Sequence, residues 1–169
     1  MKVNIILLCF FSTLSQAACD TYIVNEWPDS RYFVENISND YVVTDTVTGL
    51  MWKRCLEGRW GASCQNGSNT NFSWQVALNF ALTEDYAGYT DWRVPNIHEL
   101  DSLSAKNCYS PAINETAFPN TVYSNSRYWS SSPTVFSDTQ NWTVHFGYGT
   151  HDIRDRDELN LLRMVRSTQ

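Results

Sequence analysis

Four cysteines, Cys19, Cys55, Cys64 and Cys108, follow an N-terminal segment in which Lys2 precedes an apolar run from Val3 to Phe11 and the small-residue stretch "STLSQAAC". A basic residue, a short apolar core and a small-residue exit describe a secretory signal removed on export. An even cysteine set in an exported protein defaults to disulfides, which limits the folds open to the chain more than any other feature does. The apolar run is too short to span a bilayer, and no later stretch approaches the ~20 apolar residues that a spanning helix needs. We divide the chain into a secretory signal over residues 1–18 and a single domain over residues 19–169, and expect it to be secreted, periplasmic or on the cell surface. Cleavage after Ala17 satisfies the small-x-small pattern through Ser15. Lipidation of Cys19 would instead place Gln16 where an apolar residue is wanted, and would strand an odd thiol.

Cys9 leaves with the signal, and the other four can pair in three ways, among which spacing does not choose. We take Cys55 with Cys64, closing a short local loop, and Cys19 with Cys108, tying the N-terminal segment to the body. The lack of a C-x-x-C pair argues against zinc. The remaining roughly 150 residues suffice to bury one core. The formal charge of −6, more negative still once Lys2 is lost, disfavours nucleic acid or an anionic membrane as a general partner. Seven Trp, nine Tyr and eight Phe supply large buried area per residue, and are also the usual stacking platform for sugars.

Residues 41–53, "YVVTDTVTGLMWK", hold two β-rich runs around a turn in which Gly49 can take positive φ, a hairpin signal. Residues 55–71 have the Gly, Ser and Asn content of a loop. "SWQVALNFAL" places Trp74, Ala77, Leu78 and Ala81 at helical spacing behind Ser73, a candidate N-cap, so the first helix covers about residues 73–83. In "DWRVPNIHELDSL", Asn96 can cap a second helix while Glu99, three residues on, reaches back to it. Pro95 holds Val94 extended, so Trp92 and Val94 share one face of a short strand and Arg93 takes the other, free to meet a carboxylate or a loop carbonyl. "QNWTVHFGYGTH" alternates as a strand, Gly147 and Gly149 mark a turn, and "LNLLRMVRS" returns as the final strand. Hairpin, two helices, long loops and terminal hairpin make an α+β domain with antiparallel sheets.

"DTVTGLMWKRC", "DWRVPNIHEL", "PAINETAFP", "YWSSSP", "WTVHFGYG" and "LLRMVRS" occur in an order that resembles the bacterial extracellular family named after the C-terminal domain of the Legionella collagen-like adhesin, over about residues 41–167. The resemblance implies a C-type-lectin-like fold, related in architecture to formylglycine-generating enzymes, with two helices packed on antiparallel sheets and long disulfide-braced loops. It also implies an extracytoplasmic binding module, since the namesake adhesin recognises sulfated glycosaminoglycans. Trp52, Trp92, Arg93, Asn96, Glu99, Trp129, Arg163 and Arg166 match recurring family positions and read as scaffold. No collagen-like repeat precedes the domain, and the negative charge runs against sulfate, which needs focused Lys or Arg.

Enzymatic readings fare worse. A formylglycine-generating oxidase needs cysteines near its C-terminal end, and none follows Cys108. Ser130, Ser131 and Ser132 lack a recognisable base, because His98, His145 and His151 stand in no fixed spacing to them. His145 and His151 with Asp152 read as strand and turn residues instead of metal ligands. "DIRDRDE" lacks the glycine of a calcium loop. We therefore expect no catalysis, metal or cofactor. The sequons at Asn36, Asn66, Asn71, Asn114 and Asn141 read as loop composition. Trp60, Trp142, Tyr148, Arg154 and Arg156, on the loops at 56–71 and 138–158, are the candidate contacts to a glycan or surface protein. The alternative is a structural subunit of a bacterial envelope or pilus-like assembly.

Overall fold

The computed structural model describes residues 17–168; Cys9 and all but the end of the expected signal lie outside this range. In chain order the elements are β1 (Ala18–Cys19), β2 (Tyr32–Ile37), β3 (Asp40–Asp45), β4 (Leu50–Lys53), β5 (Arg59–Trp60), β6 (Asn66–Gly67), α1 (Trp74–Ala81), α2 (Ile97–Asp101), β7 (Cys108–Tyr109), β8 (Tyr128–Pro133), β9 (Gln140–His145), β10 (Thr150–Asp155) and β11 (Val165–Ser167). The larger sheets have the orders β11-β4-β3-β2 and β10-β9-β8, and β1-β7 and β5-β6 form two-residue ribbons. These strand pairs are antiparallel, so the fold is α+β.

The β3–β4 hairpin closes with Asp45 opposite Leu50 and Gly49 at φ 68°. Its strands read as near-continuous apolar runs because both faces are covered. Val43 and Trp52 enter one buried cluster with Leu100, Phe118, Tyr128 and Val144. Val42 and Met51, pointing the other way, join Ala77, Trp92, Trp129, Leu162 and Met164 in a second. β2 extends this sheet beyond the sequence expectation. It pairs with β3 through a turn in which Ser38 and Asn39 both have positive φ, the backbone of a two-residue hairpin without the glycine that usually advertises one.

The terminal hairpin differs from expectation. β9 returns through residues 146–149 into β10, so His151 is a strand residue, and "LNLLRMV" is not its partner. The charged "THDIRD" lacks the apolar alternation of a strand buried on one face, which hid it. Leu161, Leu162 and Met164 are instead buried along an extended crossing between the sheets, and the chain ends as β11 against β4, Val165 opposite Trp52.

Cys19 is bonded to Cys108, and Cys55 to Cys64. α2 carries a complete capping box between Asn96 and Glu99. Ser73 is the N-cap residue of α1 but makes no side-chain cap bond; the Trp74 N–H donates to the Arg156 carbonyl at 2.9 Å instead. The segment before α2 forms a single bridge, Arg93 to Val165, with Trp92 and Val94 buried and Arg93 on the opposite side. There Arg93 donates from both Nη atoms to the two Glu99 oxygens at 2.7 Å, so the same carboxylate that caps the helix fixes the guanidinium.

Candidate ligand face

The five contact residues named from the sequence do not converge. Trp60 stands on the β5–β6 ribbon with its ring over Gly67. Trp142 and Arg154 sit on opposite faces of the β9–β10 hairpin: Trp142 meets His151 edge to face at 6.5 Å, whereas Arg154 is paired with Asn141, one residue out of phase. Arg156 is engaged internally, its Nε donating to Asn141 Oδ1 at 2.6 Å and its guanidinium lying 4.5 Å from the Trp74 ring centroid. Tyr148 occupies the hairpin turn, is 66 % exposed, and tilts over His145 with ring centroids 5.5 Å apart.

That turn is held firmly. Gly149 N–H returns to the His145 carbonyl at 3.0 Å, and Ser110 and Ala112 donate to the Gly147 and Phe146 carbonyls at 2.7 and 2.6 Å. Lys106, ion-paired with Asp101 at 2.6 Å, donates to the Gly149 carbonyl at 3.0 Å. Gly147 is required by close approach: a Cβ there would lie 2.4 Å from His145 Cε1. The imidazole thus tucks beneath the turn and lifts Tyr148 outward. Beside the pair is a hollow of about 180 Å³, lined also by Ser110, Tyr123, Ser124 and Asn125. It joins an aromatic wall to hydroxyl and amide groups on a braced support, the arrangement that preorganised binding requires.

The electrostatics of this face are balanced. Asp152 receives Arg127 Nε at 2.9 Å and Arg154 Nη2 at 2.5 Å. Burial opposes ionisation of Asp152, but the two guanidinium bonds prevail and hold its carboxyl below the usual range. Burial, with Arg127 adding to it, lowers His145, which is therefore neutral near pH 7. Asn125 also borders a second hollow, of about 130 Å³, with Arg127 and Asn160. Sequence reasoning missed Asn125, Arg127 and Asn160 and read His145 only as a strand residue, because these groups come from separate segments; in the structure Asn125 and Ser110 both adopt left-handed backbone.

The Ser130 hydroxyl donates to the Trp142 carbonyl at 2.7 Å, and Ser132 Oγ accepts from the Ile97 N–H at 3.0 Å. His151 lies 2.8 Å from Asp101 on the face of the hairpin opposite His145. No group of His, Cys, Asp or Glu that could hold a metal ion occurs among the described residues. No helix among them is long and apolar enough to cross a membrane. The family-position residues Trp52, Trp92, Trp129, Arg163 and Arg166 are buried. Arg163 donates to the Lys53 and Arg54 carbonyls and to Thr121 Oγ1, with Phe118 against its guanidinium; Arg166 donates to Asp91 at 2.7 Å.

Two cross-links, antiparallel sheets sharing two apolar clusters, and a braced aromatic turn define a disulfide-stabilised α+β domain. Residues 41–166 match the family model of the Lcl C-terminal domain, and the chain belongs to that family, an adhesin-associated one. No curated protein matches it.

Proposed function

We propose that the chain is an extracytoplasmic, non-enzymatic binding module of C-type-lectin-like architecture that recognises a glycan at the Tyr148 turn. The observation that carries this reading is the exposed Tyr148 ring, seated on His145 beside a polar hollow and held by hydrogen bonds from three segments. An aromatic face next to hydroxyl and amide groups suits the apolar face and equatorial hydroxyls of a sugar. The structural engagement of Ser130 and Ser132 supports a role without a serine nucleophile. The disulfides fit an oxidising compartment. A glycan array at low and physiological salt, run with wild type and Tyr148→Ala, tests the reading. Binding that persists at physiological salt and is lost in the variant supports it; binding equal in both proteins removes this face from recognition.

A second reading, a structural subunit of an envelope assembly, is favoured by Val135 and Phe136, 95 % and 76 % exposed on the loop between β8 and β9. Co-purification of a stable envelope partner, abolished by Phe136→Ser, would select it over the first.

A further inference from the structure

A separate aromatic surface lies on the β5–β6 ribbon. Trp60, on β5, is 58 % exposed, and no residue of its ribbon lines the hollow beside Tyr148. The indole is seated on backbone. Its Cζ3 and Cε3 atoms lie so close over Gly67 that a Cβ there would be 2.1 and 2.6 Å from them. The ribbon beneath is fixed from several sides. The Cys55–Cys64 bond closes its loop, the Ser68 and Thr70 N–H groups donate to the Gly58 and Glu57 carbonyls at 3.1 and 3.0 Å, and Asn120 Nδ2 reaches the Ser63 carbonyl from another segment at 2.6 Å. Glycine covers one part of the ring and the rest meets solvent, so a large apolar group is held rigid and open at once. Rigid amphipathic rings give contact area with little conformational entropy left to lose on binding.

The surroundings select what can lie on it. Asn66 stands opposite Trp60 in the ribbon, and neither its carboxamide nor the Trp60 indole N–H has a protein hydrogen-bond partner among the described residues. Ser63, Gln65, Asn66 and Ser68 are exposed along the same loop. The ionisable residues of the loop over 56–71 are Glu57, buried against Lys53, and Arg59, half-buried with Nε bonded to Asn69 Oδ1 at 2.7 Å. The loop thus offers a cation no free carboxylate, and its open donors and acceptors are neutral amides and hydroxyls. Protein docking calls for a contiguous apolar patch, yet among residues 55–71 Trp60 is the only large apolar side chain that is exposed. A flat apolar face fringed by hydroxyl groups matches this surface, and a pyranose presents both.

We propose that the β5–β6 ribbon is a second carbohydrate site, in which the open face of Trp60 stacks on a neutral hexopyranose while Asn66 and the indole N–H bond its hydroxyl groups. The site does not depend on the glycan reading of the Tyr148 face. The test follows the Trp60 indole N–H resonance in the full mature chain by two-dimensional NMR, assigned by its loss in Trp60→Phe. The chain is titrated with cellotriose, N-acetylated chitotriose, lactose and mannobiose to about 10 mM, enough to reveal a Kd as weak as about 1 mM. The expected result is a saturable shift of the indole N–H with at least one of these sugars, kept in Tyr148→Ala. Trp60→Ala should weaken that sugar at least tenfold, read at the Asn66 side-chain amide. The wild-type resonance decides whether the ring binds sugar even if a variant does not fold. An indole N–H unmoved by all four sugars overturns the site, whatever the Tyr148 face does. A shift at Trp60 with the Tyr148 amide unmoved keeps this site and removes the glycan reading of the other face. A Trp60 shift that vanishes in a folded Tyr148→Ala overturns the second site, because the ring would then be responding to binding elsewhere.

Discussion

Asp45→Asn isolates one buried ion pair of the scaffold. Asp45 is fully buried and Arg31 nearly so, joined by two hydrogen bonds, Nε to Oδ1 at 2.8 Å and Nη2 to Oδ2 at 2.6 Å. The guanidinium lies between Trp27 and Tyr32, 5.9 and 5.3 Å from their ring centroids. Asparagine keeps the shape and can still accept the Val47 N–H bond now made by Oδ1, but it leaves Arg31 charged and buried. Removing one partner of a buried pair costs about 3–5 kcal/mol. Arg31 retains bonds to the Glu26 and Ser102 carbonyls, which places the loss near the lower end, about 3 kcal/mol. For a chain of this size that is a fall in Tm of roughly 6–12 °C. Urea unfolding with the disulfides intact measures it. The pH dependence is a second readout. Burial raises the Asp45 pKa, but the bonds from Arg31 and from the turn amides outweigh it and hold the carboxyl below its ordinary value. Its stabilisation is thus present above the unfolded-state pKa of about 4 and is lost as pH falls through the lower folded value. The gap between wild type and variant should therefore close in acid. A loss under about 1 kcal/mol at neutral pH, or a gap that does not narrow in acid, would refute the reasoning.

Removing the cross-links should separate them by loop length. The bridges close sequence separations of 89 and 9 residues, and chain entropy makes Cys19→Ser/Cys108→Ser the more damaging pair by about 2 kcal/mol in urea unfolding. Gly147→Ala should push the His145 ring from beneath Tyr148, costing about 1–3 kcal/mol of stability and about tenfold in glycan affinity by calorimetry; unchanged affinity would show that the stack is not part of the site. By NMR titration His145 should ionise below free histidine, and Arg127→Gln should bring it partway back, because burial sets most of the shift and Arg127 adds to it. Linkage then has the His145 contribution to stability present above the unfolded-state pKa of about 6.5 and lost as pH falls through the folded value.

The parts of this fold legible in sequence are those where local chemistry and global packing demand the same residue. Asn96 and Glu99 cap α2 as their spacing implies, and Glu99 holds Arg93 with the same carboxylate. Gly49 sits where β3 must turn into β4. β2 and β10 were hidden for the opposite reason. β10 is charged because its outer face meets water and its partners are Arg127 and Asp101, contacts that no periodicity encodes. Conversely, Leu161, Leu162 and Met164 have the apolar content of a strand but are buried by passing between two sheets, with Arg163 Nη1 between them donating to the carbonyls of Lys53 in β4 and of Arg54. The candidate site was partly visible: the Gly-rich turn marks Tyr148 as an outward residue, but the groups that make a pocket beside it come from segments near 110, 125 and 145.

The fate of the cations bears on what such a face can bind. Arg31, Arg93, Arg127, Arg154, Arg166, Lys53 and Lys106 are each paired with a carboxylate. Arg163 is buried, Arg156 is given to Asn141 and Trp74, and Arg54 and Arg59, away from this face, bond to the Thr116 carbonyl and to Asn69 Oδ1. At the Tyr148 face a polyanion would have to displace Asp152 from Arg127 and Arg154, or Asp101 from Lys106, before gaining a phosphate or sulfate contact, on a chain whose formal charge is already −6. Stacking and hydrogen bonding to a neutral sugar involve no such exchange. Affinity for the wild-type ligand should therefore change less than about twofold between roughly 50 and 200 mM salt, since contacts between neutral groups are not screened. A steep fall over that range, relieved by Arg127→Gln or Arg154→Gln, would mean that the guanidinium groups leave Asp152 for the ligand, and would replace neutral recognition with recognition of an anion.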